Sequence, residues 1–278
     1  MAFTSDVLTL EMDGPIATLW LDRPEAHNAM GSAFWNDLPL ACNEVTSNDA
    51  LRVLVIAAKG PHFTVGLDLK EMGIRLAKDQ SNSANSSRAN ASAATYRAIR
   101  SMQDSINAVA NLAIPTIAAV HGYCIGAGVD LICACDMRFA CADAVFSVRE
   151  TKVAIVADLG TLQRLPHIVG AGHVAELAFT GKDIDAARAA KIGLVNDVHG
   201  RHASDVQAST YLVAGLIAAN SPIAVRGTKE VLGANDGRTV AEGLEFVARW
   251  NTMYLQSNDL VEAMTAFIER RPPLFRGD

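Results

Sequence analysis

The sequence has few aromatic residues and no run of basic residues. Aromatic residues make up 6% of the 278 residues, and the formal net charge at pH 7 is −6. A protein that binds nucleic acid through its phosphates needs a basic stripe, so we expect no nucleic-acid partner. An anionic ligand would have to be bound by local positive groups or by backbone N–H groups.

The chain also lacks the paired cysteine spacing of a disulfide framework or a zinc site. Its five cysteines are an odd number and lie mostly in apolar contexts, at Cys42, Cys124, Cys133, Cys135 and Cys141. The Cys133-Ala-Cys135 pair has no second pair and no histidine cluster to complete a zinc site. We therefore expect free thiols in a reducing compartment and no metal site.

No segment has the pattern of a secretion signal or an uninterrupted membrane span. The stretch 1–14 is acidic and has no basic region followed by an apolar one. The stretch 105–129 has no charged side chain, but Asn107, Pro115 and the glycines after His121 interrupt it. No transit peptide or C-terminal peroxisomal signal is evident. These patterns predict no membrane partner and a cytoplasmic location.

Half of the residues are apolar, and their spacing changes along the chain. Alternation at 8–12 and 16–20 around Asp13-Gly14 predicts a β-hairpin. Continuous apolar runs at 52–58 and 116–120 predict strands buried on both faces, with helical spacing at 32–45 and 96–111. The order of strands and helices predicts right-handed crossovers, a parallel sheet and an α/β fold.

Beyond residue 161 nearly all of the spacing is helical. We divide the chain into an α/β core at 1–200 and a C-terminal helical region at 201–278. Apolar residues such as Leu212, Phe246 and Trp250 recur at helical spacing, which indicates a core or a subunit interface. The segment 74–94 is rich in Ser, Asn and Ala, which is typical of a mobile surface excursion.

Two glycine-containing turns, at 63–69 and 122–130, each follow a predicted buried strand and precede a helix start. Small residues there let a ligand approach the backbone, and free N–H groups at the helix start point toward it. Both stretches are equally compatible with plain turns, with Asp68 capping a helix. Gly170-Ala-Gly-His-Val-Ala175 matches a loose dinucleotide motif, but no clear strand precedes it, so we interpret it as a turn between helices.

Three acidic residues, Asp130, Glu150 and Asp158, are the candidate chemical groups. Each has an ordinary explanation, as a helix-dipole partner, a surface charge or an N-cap. However, Asp158 follows the apolar stretch 153–157, and Glu150 and Asp158 lie at the two ends of one short connection. Two carboxylates that face one pocket can act as base and acid on different carbons.

Taken together, five segments in the same order resemble the enoyl-CoA hydratase/isomerase, or crotonase, superfamily over essentially the whole chain. They are 23–29, 63–69, 114–136, 146–160 and 266–271. The resemblance implies a crotonase-like core of ββα units, a C-terminal helical trimerisation region and a homotrimer or homohexamer. It implies an acyl-CoA thioester as substrate, with no cofactor beyond the CoA of that substrate.

The resemblance also implies roles for individual residues. The backbone N–H groups of Leu67 and Ala127 would bind the thioester oxygen. Substrate and CoA contacts are expected from Pro24, Glu25, Ala26, His27, Val65, Gly66, Asp68 and Gly126. Glu150, Asp158 and Asp130 would be the catalytic acids.

The acid pattern departs from that of common hydratases, which carry Glu at the positions of Asp130 and Glu150 and usually Gly at that of Asp158. It resembles the branch that isomerises 3,5-dienoyl-CoA to 2,4-dienoyl-CoA. That branch implies that Glu150 removes a proton at C2, that Asp158 protonates C6 and that Asp130 orients Glu150 by a hydrogen bond. Two alternatives are hydration of 2-enoyl-CoA and a degenerate member that only binds acyl-CoA.

Overall fold

The computed structural model describes residues 3–74 and 87–278, so most of the predicted 74–94 excursion lies outside the described residues. The described chain begins with strand β1 (Phe3–Thr4) and the hairpin of β2 (Leu8–Asp13) and β3 (Ile16–Leu21). The hairpin strands pair antiparallel, with Gly14 in the turn at a φ of 55°. The antiparallel pairing confirms the predicted hairpin. Glycine suits its turn because a residue without a side chain adopts this left-handed conformation easily.

Four more strands complete the main sheet: β4 (Val53–Ala58), β5 (Thr116–Val120), β7 (Met137–Ala140) and β10 (Asp197–Val198). The strand order is β1-β2-β3-β4-β5-β7-β10, and the pairing is parallel from β3 onward. Every residue of β4 and β5 is buried. The predicted parallel sheet with strands covered on both faces is therefore confirmed.

A second, smaller sheet contains β6 (Tyr123–Ile125), β8 (Val145–Ser147) and β9 (Ile184–Asp185). β6 pairs parallel with β8, with Ile125 opposite Ser147, and β9 adds antiparallel. The residues that follow β6 and β8 therefore meet at one edge of this sheet. The sequence pattern did not predict β6 because a strand of three residues between two glycines is too short to show alternation.

The helices named here lie within the described residues. They are α1 (Ser32–Thr46), α2 (Arg88–Ala110), α3 (Ala127–Cys133), α4 (Thr161–Val169), α5 (Ala171–Thr180), α6 (Ala186–Lys191), α7 (Ala203–Ala218), α8 (Pro222–Ala234), α9 (Val240–Tyr254) and α10 (Asn258–Glu269). Gly170 ends α4 and starts α5, which confirms a turn between helices at the dinucleotide-like motif.

The start of α2 differs from the prediction, which placed residues 88–94 in the mobile excursion and began the helix near Tyr96. Helix α2 begins at Arg88, and the Ser87 hydroxyl accepts a hydrogen bond from the Asn90 N–H at 3.3 Å. Alanines in the first turns add helix propensity, and the serine cap stabilises the first N–H groups. The Ser- and Asn-rich composition concealed this helix.

The C-terminal tail folds back onto α8 and α10 through Asp259, whose side chain is buried. The Asp259 carboxylate accepts hydrogen bonds from the Ser221 hydroxyl at 2.6 Å and from the Arg276 N–H at 2.8 Å. The division at residue 200 stays a prediction.

No single helix among the described residues is long and apolar enough to cross a membrane. The helices α7 and α8, bent by 106° relative to each other, together have the length and apolar composition of a membrane-spanning pair.

Candidate active site

The two glycine-containing turns of the sequence lie side by side. The Thr64 N–H donates to the Tyr123 carbonyl at 2.8 Å, and the Ile125 N–H donates to the Thr64 carbonyl at 3.2 Å. Gly66 has a φ of 83°, and a Cβ there would lie 2.6 Å from the Ile125 carbonyl oxygen and 3.4 Å from the Ala127 nitrogen. Gly66 is therefore required both for its backbone conformation and for this close approach.

The N–H groups of Leu67 and Ala127 are the predicted oxyanion donors. Among the hydrogen bonds between described residues, neither N–H has an acceptor. The backbone on either side of Leu67 is fixed by hydrogen bonds with Met30 at 2.8 and 3.1 Å, and Gly126 before Ala127 donates to the Ser147 carbonyl at 2.9 Å. Two free donors on a fixed backbone can stabilise a developing oxyanion without reorganisation.

A single methyl group at Gly66 tests this pair of donors. Gly66→Ala forces the turn away from Ile125 and displaces the Leu67 N–H, so we expect kcat to fall by about 10²-fold. Steady-state kinetics with an acyl-CoA substrate measure the effect. Gly73→Ala is the matched control, because its Cβ would meet no atom within 4 Å. Equal activity of both variants would contradict the donor role.

Glu150 is placed at the same site by the small sheet. It follows β8 and begins a 3₁₀ turn, Glu150–Val153, with 8% of the residue exposed. Its Oε1 faces the Gly126 turn, since a Cβ on Gly126 would lie 3.5 Å from that oxygen. Its buried Oε2 has no hydrogen-bond partner within the described chain. The carboxylate therefore faces the turn that carries the Ala127 donor, and the described chain leaves one of its oxygens without a hydrogen bond.

The surroundings of Glu150 tune its protonation near neutral pH. Burial raises the pKa of Glu150 to about 7, and the negative charges of Asp130 and Asp158 add to the rise, while backbone N–H groups oppose it. A base with a pKa near the working pH combines a useful fraction of the ionised form with sufficient basicity.

Asp130 lies in the first turn of α3 and is 1% exposed. Its Oδ1 accepts a hydrogen bond from the Thr161 N–H at 2.6 Å, at the start of α4. Burial raises the pKa of Asp130 to about 6, and the charge of Asp158 adds to the rise, while Thr161 and Arg164 oppose it. No hydrogen bond joins Asp130 and Glu150 among the described residues, so the prediction of a direct orienting bond was wrong. Asp130 holds the start of α4 and acts on Glu150 through charge.

Asp158 completes the group of acids from a loop before α4. Its side chain is half-buried, and burial raises its pKa. Its backbone carbonyl accepts a hydrogen bond from the Gln103 amide of α2 at 2.6 Å. The structure thus brings Asp130, Glu150 and Asp158 into electrostatic contact with one another.

The predicted CoA-contacting turn joins the site through its backbone. Pro24–Ala26 forms a 3₁₀ turn, followed by His27 at a φ of 51°. Buried Asn28 fixes the turn, because its amide donates to the carbonyls of Lys59 and His62, both at 2.9 Å. The Val65 N–H donates to the His27 carbonyl at 3.2 Å. The predicted substrate residues therefore belong to three neighbouring turns, and they are Pro24, Glu25, Ala26, His27, Val65, Gly66 and Gly126.

The carboxylate of Asp68, also predicted to contact substrate, is bonded to other residues of the protein. Its carboxylate forms an ion pair with Arg23 at 2.9 Å and accepts the N–H groups of Lys70 and Glu71, both at 3.1 Å. These bonds cap the helical segment that begins at Leu69. A contact between Asp68 and substrate stays a prediction, as do the other substrate-binding roles.

Comparisons with known proteins decide the family. The model of the enoyl-CoA hydratase/isomerase family matches residues 11–278. This chain belongs to the enoyl-CoA hydratase/isomerase family. The crystal structure of an enoyl-CoA hydratase from Bacillus anthracis superposes with a TM-score of 0.86, at 28% identity over 98% of this chain and 100% of that one. The crotonase-like fold and the acyl-CoA substrate class predicted from the sequence are therefore confirmed.

Two relatives of this family member are similar over most of the chain. A protein of Dictyostelium discoideum named mitochondrial Δ(3,5)-Δ(2,4)-dienoyl-CoA isomerase is 40% identical over 94% of this chain and 87% of its own length. Its peroxisomal namesake in Arabidopsis thaliana is 40% identical over 98% of this chain and 96% of its own length. These names contradict the predicted cytoplasmic location, which was wrong because it rested only on the apparent lack of a targeting signal.

The enoyl-CoA hydratase/isomerase site also contains residues that the sequence analysis did not single out. The Gln103 side chain donates a hydrogen bond to the Asp158 carbonyl. The Arg164 guanidinium lies against Gly160 in the same loop. The rings of His27, His62 and Tyr123 contact one another in a row at tilted angles, with centroid distances of 5.1 and 4.5 Å. Arg164 lies four positions after the segment 146–160 that resembles the family, whereas no local pattern identifies Gln103.

From the sequence we predicted that this site holds no metal and no cofactor. Within residues 3–74 and 87–278, no group of three or more His, Cys, Asp or Glu side chains could hold a metal ion. The five cysteines are buried and unpaired, as expected from the sequence. The absence of a cofactor stays a prediction.

Because the pKa of Glu150 is raised in the folded protein, ionisation of Glu150 lowers the free energy of unfolding, and this loss depends on pH. The unfolded chain has a Glu pKa of about 4.3, whereas the folded value is about 7. The folded state therefore binds the proton more tightly, and wild-type stability falls as the pH rises from the lower to the higher value. We expect Glu150→Gln to raise the free energy of unfolding at pH 8 by on the order of 1–3 kcal/mol.

Chemical denaturation of wild type and Glu150→Gln at pH 5 and pH 8 measures this effect. The stability difference between the two proteins should shrink at pH 5, where the wild-type carboxyl is mostly protonated when folded. A difference of the same size at both pH values would contradict the raised pKa.

Proposed function

We propose that this protein isomerises 3,5-dienoyl-CoA to 2,4-dienoyl-CoA. The observation that carries the proposal is a second partly buried carboxyl, Asp158, coupled to Glu150 beside two free backbone donors. Glu150 and Asp158 lie at the two ends of one connection between β8 and α4, so their carboxyl groups can reach different carbons of one acyl chain. The names of the relatives from Dictyostelium and Arabidopsis support the same substrate class.

The first step is removal of a proton from C2. The thioester carbonyl oxygen accepts hydrogen bonds from the N–H groups of Leu67 and Ala127, each stabilising the developing enolate by about 3 kcal/mol. The carboxylate of Glu150 takes the proton. The electron pair of the broken C–H bond enters the thioester and the conjugated double bonds, which gives a trienolate.

The second step is protonation at C6. Charge from C2 is delocalised along the chain as far as C6, where the Asp158 carboxyl donates its proton. The double bonds then lie between C2 and C3 and between C4 and C5, so the thioester is conjugated with the diene. Glu150 ends with one more proton and Asp158 with one fewer, and exchange with solvent restores both.

Isomerisation in deuterium oxide tests this proposal. We expect the product to carry deuterium at C6 and an unsaturated C3, which NMR of the product resolves. A product with a hydroxyl group at C3 would indicate addition of water and would contradict the proposed isomerisation. Failure to convert any acyl-CoA while still binding it would support a binding protein instead.

The reaction should lose activity in acid because Glu150 must be ionised in the free enzyme. With a pKa of about 7 for Glu150, we expect kcat/KM to fall as the pH decreases below about 7. The limiting slope is about tenfold per pH unit for one group. The apparent pKa belongs to the coupled acids as a set, because Asp130 and Asp158 influence it. A pH profile of kcat/KM that stays flat from pH 8 to pH 5 would contradict Glu150 as the base.

We also propose that the chain forms a homotrimer or homohexamer through its C-terminal helices. Large apolar side chains on these helices are exposed in the single chain, including Leu212 at 73% and Phe267 at 83%. Further members of this exposed apolar surface are Leu216, Leu232, Val240, Leu244, Met253, Met264 and Ile268. Apolar patches of this kind mark interaction surfaces. Sedimentation velocity should show a trimer or hexamer, and a monomer at micromolar concentration would contradict the assembly.

A further inference from the structure

Helix α2 contacts the loop that carries Asp158 through Gln103. The Nε2 of Gln103 donates to the Asp158 carbonyl oxygen at 2.6 Å, and its Oε1 accepts from Arg100 at 2.8 Å. Both ends of this half-buried amide are therefore occupied. A side chain bound at both ends has a fixed orientation, so Gln103 holds the Asp158 backbone at one defined distance from α2.

A second contact from the same face of α2 supports the end of this loop. Asn107 lies one helical turn after Gln103, and its Oδ1 accepts from Arg164 at 2.6 Å. The Arg164 guanidinium packs directly against Gly160, and a Cβ on Gly160 would overlap the guanidinium. Gly160 also has a φ of 127°, a conformation that favours glycine. Helix α2 thus holds the loop 154–160 at Asp158 and, through Arg164, at its last residue, Gly160.

The Asp158 carboxylate depends on this backbone support. Within the described residues, no side chain of another residue donates a hydrogen bond to that carboxylate. Its position is therefore set by the loop backbone and not by a direct partner. Glu150 lies at the other end of the same connection, near β8, and no hydrogen bond joins it to α2 among the described residues.

We propose that Gln103 is a positioning residue for Asp158 and acts on protonation at C6 alone. This inference rests on the proposed isomerisation. The trienolate can react in two ways: Glu150 returns the proton to C2, or Asp158 delivers a proton to C6. A misplaced Asp158 slows only the second reaction, so more of the trienolate returns to substrate.

The test separates the two proton transfers in one experiment. Gln103→Met removes the donor while keeping the length of the side chain. We expect kcat for isomerisation to fall roughly ten- to hundredfold, the cost of misplacing a catalytic group by about 1 Å. KM should be unchanged, and exchange of the C2 hydrogen of recovered substrate with deuterium oxide should stay at or above the wild-type rate.

Two further variants make the result specific. Gln103→Glu keeps the shape and the pairing with Arg100 but loses the donor, so it should show the same separation. Gln163→Met is the matched control, since Gln163 is exposed on α4 and its side chain has no hydrogen bond to any other described residue. It should behave as wild type in both measurements.

The inference is overturned if both Gln103 variants isomerise at the wild-type rate. It is also overturned if C2 exchange falls in parallel with isomerisation, because that indicates general damage to the site. These outcomes differ from failure of the proposed function, in which the wild-type protein itself does not isomerise 3,5-dienoyl-CoA.

Discussion

Replacing Glu150 with Gln is expected to lower kcat for 3,5-dienoyl-CoA isomerisation by about 10²–10⁴-fold, the usual contribution of a general base. The amide retains the shape of the side chain but cannot accept the C2 proton. Exchange of the C2 hydrogen with deuterium oxide should be lost to the same extent, because proton removal precedes both outcomes. Steady-state kinetics and NMR of recovered substrate measure the two effects.

The control for Glu150→Gln is Glu44→Gln, the same change on the exposed face of α1. It should leave both rates unchanged. Binding of substrate by Glu150→Gln should persist, since the Leu67 and Ala127 donors do not depend on the carboxylate. Undiminished turnover in Glu150→Gln would rule out its role as the base.

Replacing Asp158 with Asn is expected to separate the two steps that Glu150→Gln abolishes together. Isomerisation should fall by about 10²–10⁴-fold because the proton donor to C6 is missing. Exchange at C2 should continue, because Glu150 and the oxyanion donors remain. The same two measurements apply, and Asp104→Asn on the exposed side of α2 is the matched control.

Two results would contradict the assignment of Asp158. One is full isomerisation by Asp158→Asn, which would require another donor at C6. The other is loss of C2 exchange together with isomerisation, which would place Asp158 in the first step. Either result would reduce the case for a dienoyl isomerase over a hydratase.

The main strands were predictable because their residues are buried on both faces. Val53–Ala58 and Thr116–Val120 are continuous apolar runs, and the structure buries every residue in them. The start of α2 was not predictable from composition, since the Ser87 cap and a few alanines outweigh the polar residues around them. Strand β6 depends on pairing with β8, which lies more than fifteen residues away along the chain.

The candidate site was predictable where the chemistry lies in short segments. The turns with Leu67 and Ala127 and the acids Glu150 and Asp158 come together as the family resemblance implied. Contacts between distant segments were not predictable. The partner of Asp130 is the N–H of Thr161, and the Gln103 amide meets the Asp158 carbonyl across 55 positions of sequence. A backbone partner leaves no pattern of residue types in the sequence.

We expect this member of the enoyl-CoA hydratase/isomerase family to move protons along a diene and not to add water. The most direct measurement offers 3,5-dienoyl-CoA and 2-enoyl-CoA to the wild-type protein side by side and compares kcat/KM. We predict formation of 2,4-dienoyl-CoA with a kcat/KM well above that for hydration of the 2-enoyl thioester. Rapid hydration of 2-enoyl-CoA with no conversion of 3,5-dienoyl-CoA would contradict the account.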